Sequence, residues 1–323
     1  MKIHFAPTAV VPYGPAPAGE EEALARVELC GRTAYKSEHR ITPDSAVSFV
    51  KMLKGRGHLS VLEHGNAVVH VKDLPSRPNP GELLAKLLPA RGGYHRIHSS
   101  SGGTAAAGNL RSWLESLELL ERSAPSPHRF FAFHLHRFFP RVFPEAPDPG
   151  EYPHEARLVK EDEQLERLRE DPASDLPVFT FKFVCDRGIS HEVVRHRVLS
   201  FTQESTRYVN YGRRGMTFVL PEELEPFYDP RTEDWREEGP PVRRWLSRAR
   251  TFFTWYREDL ERGLKPQTAR DVLPNLLKTE LFVSGRRSGW EHFVRLRESP
   301  GAHPRIRFLA AEVRKYFESL RLF

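Results

Sequence analysis

The chain is poor in cysteine. Among 323 residues only Cys30 and Cys185 are present, and they form no Cys-x-x-Cys pair. That argues against a disulfide scaffold and a cysteine zinc site, and fits a reducing compartment. The histidines lack a compact ligand spacing with carboxylates, so no metal centre is expected. Long apolar runs are also missing. No stretch approaches the roughly 20 residues that a membrane-spanning helix needs. The opening Met1-Lys2-Ile3-His4-Phe5 has no signal-peptide apolar core, which predicts a cytoplasmic protein away from the membrane. No Gly-x-Gly-x-x-Gly follows a strand pattern, which disfavours a Rossmann dinucleotide site.

What is present is arginine, which far outnumbers lysine. The formal charge is +6 and the isoelectric point near 9.3, so anionic partners are favoured: nucleic acid, nucleotides or phosphorylated cofactors. Hydrophobic content of 39% with 28% charged residues describes a globular chain, long enough for one large domain or two ordinary ones. Apolar spacing predicts helices over 20–35, after Thr42-Pro43-Asp44, after Gly108-Asn109, and over 189–197, 241–262, 266–273 and 304–320. Strands are predicted at 67–71 and 178–184, and a breaker cluster at 75–80. The Pro-rich, acidic stretch 144–177 reads as a surface connection. Helices and strands without regular alternation point to an α+β fold. A weak echo links Gly108-Asn109-Leu110-Arg111-Ser112-Trp113 to Gly285-Arg286-Arg287-Ser288-Gly289-Trp290.

The most informative run is Arg195-His196-Arg197-Val198-Leu199-Ser200-Phe201-Thr202-Gln203-Glu204-Ser205-Thr206-Arg207-Tyr208. Guanidinium forks bind phosphate bidentately and stay charged at any working pH. Serine and glutamine add neutral contacts able to discriminate a base or a sugar. A solvated basic helix end is the plain alternative.

The spacing of this run resembles the signature of the flavin-dependent thymidylate synthases (ThyX). Four further segments are similar to that family. They are Gly57-His58-Leu59-Ser60-Val61-Leu62-Glu63-His64, Cys185 to Val194, Ala269-Arg270-Asp271-Val272-Leu273-Pro274, and Trp290 to Pro304. The resemblance implies a single catalytic domain over 1–323, with a mainly antiparallel central sheet flanked by helices. A long helical insertion would occupy about 75–176, as in a longer branch of the family. It implies reductive methylation of dUMP to dTMP, with methylenetetrahydrofolate giving the carbon, reduced FAD the hydride, and NADPH reducing the flavin. A homotetramer with shared sites is implied, without nucleic acid.

By resemblance, Glu192, Arg195, Gln203, Glu204, Ser205, Thr206, Arg207, Arg270 and Arg297 hold dUMP. Arg297 is also the expected catalytic residue, a cation favouring negative charge on the ring. His58, Ser60, Glu63, Arg195, His196, Arg197, Gln203 and His292 would line the flavin. On physical grounds alone His58 and Glu63 could instead pair as an acid and a base. His64 and His191 read as structural histidines.

Two positions depart from the family pattern. Ser288 stands where a flavin-binding arginine is usual, and Ala34 where a serine is usual. The arginine's place would then be taken by Arg286 or Arg287, or the contact supplied by Asn109 and Arg111 from a helix start. The rival reading is an arginine-rich RNA- or DNA-binding protein without catalysis, with Phe131, Phe133, Phe138 and Phe139 as stacking rings.

Overall fold

A computed structural model describes residues 3–74, 78–87, 94–147, 154–229 and 231–323. Two four-stranded sheets dominate it. In the first the order is β2 (Ala9–Pro15), β7 (Val178–Asp186), β12 (Lys278–Arg286) and β8 (Ser200–Gln203). In the second it is β4 (His95–Ser100), β5 (Gly103–Asn109), β3 (Asn66–Lys72) and β6 (Ala156–Leu158). Every neighbouring pair in both sheets is antiparallel. Two short ribbons complete the strands. β1 (Ile3–Ala6) pairs parallel with β9 (Met216–Val219), and β10 (Tyr228–Asp229) pairs antiparallel with β11 (Asp234–Trp235). The antiparallel α+β architecture is as expected, but its sheet is divided in two.

The helices are α1 (Glu20–Tyr35), α2 (Ser45–Gly55), α3 (Pro80–Leu87), α4 (Leu110–Ser123), α5 (Pro125–Phe138) and α6 (Glu161–Glu170). They continue with α7 (Arg187–Val193), α8 (Tyr211–Arg214), α9 (Pro240–Glu261), α10 (Pro266–Ala269), α11 (Arg287–Arg297) and α12 (Pro304–Ser319). Among the described residues no helix is long and apolar enough to cross a membrane.

Local chemistry explains the boundaries that matter here. α1 ends where Lys36 turns left-handed, at φ 50°. α4 begins because Asn109 Oδ1 accepts the Ser112 N–H at 2.7 Å, and α7 because Asp186 Oδ1 accepts from Ile189 at 2.8 Å. α2 starts later than its proline suggests: the Ser45 hydroxyl accepts the Thr42 N–H, and the helix begins at Ser45. α7 is shorter than expected. It stops at Val193, so Arg195 and Arg197 sit on turns. α10 stops at Ala269, and a tighter turn carries Arg270–Val272.

The stretch 144–177 is more than a connection. It contributes β6 and α6, with Val159, Leu168 and Leu176 fully or almost fully buried. Of the breaker cluster, residues 75–77 lie outside the described residues. One core gathers Trp113, Phe130, Phe131, Phe139 and Phe143 against the second sheet; another gathers Phe179, Phe181, Phe183, Trp290 and Phe317 against the first. Phe131 and Phe139 are fully buried, and Phe133 and Phe138 partly so. They pack a helix against a core.

Candidate functional site

Arg297 ends α11 and reaches α7. Its Nε donates to His196 Nε2 at 2.8 Å, one terminal nitrogen donates to Glu192 Oε2 at 2.9 Å, and the other to the Glu192 carbonyl at 2.8 Å. Three expected site residues from two distant parts of the sequence therefore meet. Burial, then Arg297 and His292, hold His196 down at about 4. Because its Nε2 accepts, the proton of neutral His196 sits on Nδ1, which has no hydrogen-bond partner among the described residues. The His196 ring stands edge-on to Phe293. His292 is exposed beside Arg295, and His191 is exposed too, so His191 does not pack as a structural histidine.

β8 leads into the Ser205 loop. The Gln203 amide donates to Ser190 Oγ at 2.8 Å and Thr279 Oγ1 at 3.1 Å, which ties the strand to α7 and β12. Glu204 turns inward and is 3% exposed. It accepts from the Tyr211 hydroxyl at 2.9 Å and lies 3.4 Å from Lys278 and 3.6 Å from Lys36. Glu280 joins the same cluster through Lys36, Lys278 and Lys182. Burial alone would raise the Glu280 carboxyl, but Lys278 and Lys36 outweigh it and hold the group at about 2. The Glu204 N–H donates to the Glu280 carbonyl, and the Ser205 N–H to the Ala34 carbonyl. The loop is thus pinned to β12 and to the end of α1.

Beyond this anchor the arginines face outward. Thr206 Oγ1 accepts from Arg270 at 3.5 Å. Arg207 donates to Gln267 at 3.3 Å and lies over the Tyr208 ring, which meets Tyr35. The Ser205 hydroxyl accepts the Arg207 N–H at 3.2 Å. Arg195 and Arg197 are exposed, without side-chain hydrogen bonds or ion pairs among the described residues. Arg195, Arg197, Arg207 and Arg270 therefore all lack a carboxylate partner there. Unneutralised guanidinium groups raise the local positive potential and suit anions.

The turn Leu59–His64 holds the other expected group. His58 Nδ1 pairs with the Tyr35 hydroxyl at 3.0 Å, and Glu63 accepts from Arg111 at 2.8 Å, so His58 and Glu63 do not couple. Ser60 is exposed. His64 bridges Ser284 and Thr202 at 2.7 and 2.9 Å, and burial lowers it to about 3: a structural histidine, as expected. A cavity of about 160 Å³ lies beside Glu63, lined also by Asn109, Ser200, Ser284, Arg286 and Ser288.

Arg286 cannot reach into that cavity as a free fork. It donates to the carbonyls of Asp175, Leu176 and Ala107, at 3.0, 2.6 and 3.2 Å. Burial lowers it to about 10, so it stays charged at neutral pH. Arg287 is held by the Leu322 carbonyl and Glu291, and Ser288 by Asp175. Arg111 remains, held by Glu63 and Glu115 with its side chain 37% exposed. Sequence reasoning missed Lys36, Lys278, Glu280, Tyr211 and Gln267. Lys278 and Glu280 alternate along β12, while Lys36, Tyr211 and Gln267 come from the C-terminal cap of α1, from α8 and from α10, and meet the site only through the tertiary fold.

Fold and site together define an α+β protein presenting exposed arginines around the Ser205 loop. Residues 165–320 match the family model described as thymidylate synthase complementing protein. The flavin-dependent thymidylate synthase of Pyrococcus furiosus is 30% identical over 135 residues, which cover 41% of this chain and 51% of that protein. The enzyme of the same name from Mycobacterium marinum is 35% identical over 142 residues, covering 39% and 51%. The chain spans about half the length of the curated relatives it matches. A crystal structure of the UMP/dUMP methylase PolB from Streptomyces cacaoi with 5-Br UMP is similar at a TM-score of 0.38 and 22% identity, over 48% of this chain and 74% of that one. The family model matches a little under half of the chain.

Proposed function

We propose that this protein converts dUMP to dTMP by flavin-dependent reductive methylation. The observation that carries the reading is that Arg207 and Arg270 sit at the Ser205 loop, bonded to Gln267 and Thr206, and that they, like the exposed Arg195 and Arg197, meet no carboxylate among the described residues. A nucleotide phosphate is the ligand such a group fits best. Ser205 and Thr206 lie on the same loop and would hold the sugar and phosphate, with Glu192 and Gln203 beside them. The inward Glu204 side chain leaves only its backbone for the nucleotide. Methylenetetrahydrofolate and NADPH are the proposed co-substrates, and a cytoplasmic homotetramer is the proposed assembly.

The residues present fit a flavin. The cavity beside Glu63 has an asparagine-capped helix start at its wall, and the Glu63 of that wall pairs with the part-exposed Arg111. Glu63, Asn109 and Arg111 would hold the cofactor, with His58, Ser60, His196 and His292 nearby in the proposal. Bound and reduced, FAD supplies the hydride. Arg297 would stabilise negative charge on the pyrimidine, and its three hydrogen bonds to Glu192 and His196 fix its plane. No thiol is available as a nucleophile: Cys30 and Cys185 are fully buried, and burial pushes both thiols well up. Ser205 would orient the nucleotide, since its oxygen already accepts from the loop backbone.

The test is single-turnover oxidation of reduced flavin by dUMP and methylenetetrahydrofolate, with dUMP affinity by calorimetry. Arg207→Ala should weaken dUMP binding by about 1.5–3 kcal/mol, the range of a charge-assisted contact. Ser205→Ala should bind less tightly yet still form dTMP. Arg297→Ala should lose rate more than affinity. A parent protein that makes no dTMP overturns the reading.

A further inference from the structure

The echo between the two Gly-to-Trp segments has a counterpart in the backbone. Read from one edge, the sheets run β6–β3–β5–β4 and β2–β7–β12–β8, antiparallel throughout. The third strand of each enters a helix through the echoed segment: β5 into α4, β12 into α11. The register repeats as well. Asn109 faces Asn66, and Arg286 faces Val178. One residue further on, the Trp113 indole donates to the Ala67 carbonyl at 3.1 Å, and the Trp290 indole to the Phe179 carbonyl at 3.2 Å. A Cβ at Gly108 would strike His95, its partner on β4, at 2.7 Å; a Cβ at Gly285 would strike Leu199, its neighbour just before β8. A second helix follows each time, α5 and α12, and packs on β6 and β2 respectively.

The edge strands are exchanged. β2 precedes the first unit in sequence but pairs with β7 of the second; β6 precedes the second but pairs with β3 of the first. A hydrogen bond from the Ala18 N–H to Glu161 joins the two crossing connections. The cavity beside Glu63 lies on the seam. Glu63 and Asn109 come from the first unit; Ser200, Ser284, Arg286 and Ser288 come from the second. Its wall holds both members of one equivalent pair, Asn109 and Arg286. The pair has diverged. At the first junction Arg111 is gripped only by carboxylates, which an anionic ligand can displace. At the second, Ser288 replaces that arginine and Arg286 is spent on backbone carbonyls.

We infer that the chain contains two copies of one unit with exchanged edge strands, and that their seam builds one flavin-nucleotide site within a single chain, with Arg111 as its anion clamp. This rests on the flavin reading above. It makes β4, β5, α4 and α5 part of the first copy instead of an insertion.

A mixing experiment tests it, with FAD as the probe and flavin fluorescence as the readout. Arg111→Ala removes the clamp from the first copy. Val198→Trp, at an exposed position on the cavity wall, blocks the second. Each variant alone should bind FAD at least tenfold more weakly than the parent. Co-expressed with different tags and purified through both tags in turn, the mixed assemblies should recover no tight FAD binding, because no chain has both halves intact. Failure of doubly tagged assemblies to form supports the inference and overturns the proposed homotetramer. Recovery near a quarter of the parent's capacity, expected when different chains randomly complete one site, overturns it. So does an Arg111→Ala variant with parental affinity. FAD binding without dTMP formation overturns the proposed reaction and leaves the seam standing. A parent that binds no FAD overturns both.

Discussion

At the scale of single residues, the Ser205 loop depends on charges buried beneath it. Glu204 and Glu280 share Lys36 and Lys278 in a pocket where the lysine side chains are only 15% and 13% exposed. Removing one cation from such a cluster strands a carboxylate out of water. Lys278→Met should therefore cost about 3 kcal/mol in urea unfolding. It should also weaken dUMP binding, because the loop loses its anchor. Glu280→Gln with Lys278→Met should be less harmful than Lys278→Met alone, since the stranded charge has gone. Parental stability in Lys278→Met would show that Lys36 alone neutralises both carboxylates. The arginines above this cluster were legible because they are contiguous in sequence and their spacing is specific. The lysines below were not. Lys36 is a helix C-terminal residue and Lys278 a strand start, and nothing in either local pattern points toward the other.

At the scale of elements, the strand-to-helix junctions are the tightest places in the fold. Gly285 leaves no room for a side chain against Leu199, which is 4% exposed. Gly285→Ala should destabilise the protein by about 1–3 kcal/mol through overpacking. Shortening the neighbour should restore part of the loss: Gly285→Ala with Leu199→Ala should be less destabilised than the sum of the single changes, read as a double-mutant cycle in thermal melts. Additive losses would show that the backbone at Gly285, not the contact, sets the cost. Long periodic elements were readable from sequence, and α1, α9 and α12 fall within a residue or so of expectation. Elements that tertiary contacts impose were not. β6 has three residues, and its partner β3 supplies the pairing that composition hides. α7 ends early because the chain must turn to bring His196 against Arg297.

At the scale of the whole molecule, buried neutral histidines set the acid limit. His64 and His95 are each held near 3 by burial, far below the ordinary imidazole value near 6.5. Between those values the unfolded chain binds protons that the folded chain refuses. Stability should be full above about pH 6.5 and fall as pH drops toward 3, by up to roughly 1.4 kcal/mol per pH unit for each group. Urea midpoints at pH 7, 6, 5 and 4 would measure the slope, and His64→Gln should flatten it. An unchanged slope in that variant would place the acid limit elsewhere.

The pairing of β2 with β7 also decides when this chain can fold as it is made. β2 is complete by Pro15, yet its partner begins at Val178, and β1 waits longer still, until Met216. A ribosome must therefore deliver the chain as far as Val178 before β2 finds its neighbour, and as far as Met216 before β1 does. Through that interval they offer open hydrogen-bonding edges, the surfaces that seed aggregation. Yield in a cell should thus depend on how quickly the middle of the message is translated, and on chaperones that cover the first strands until it is.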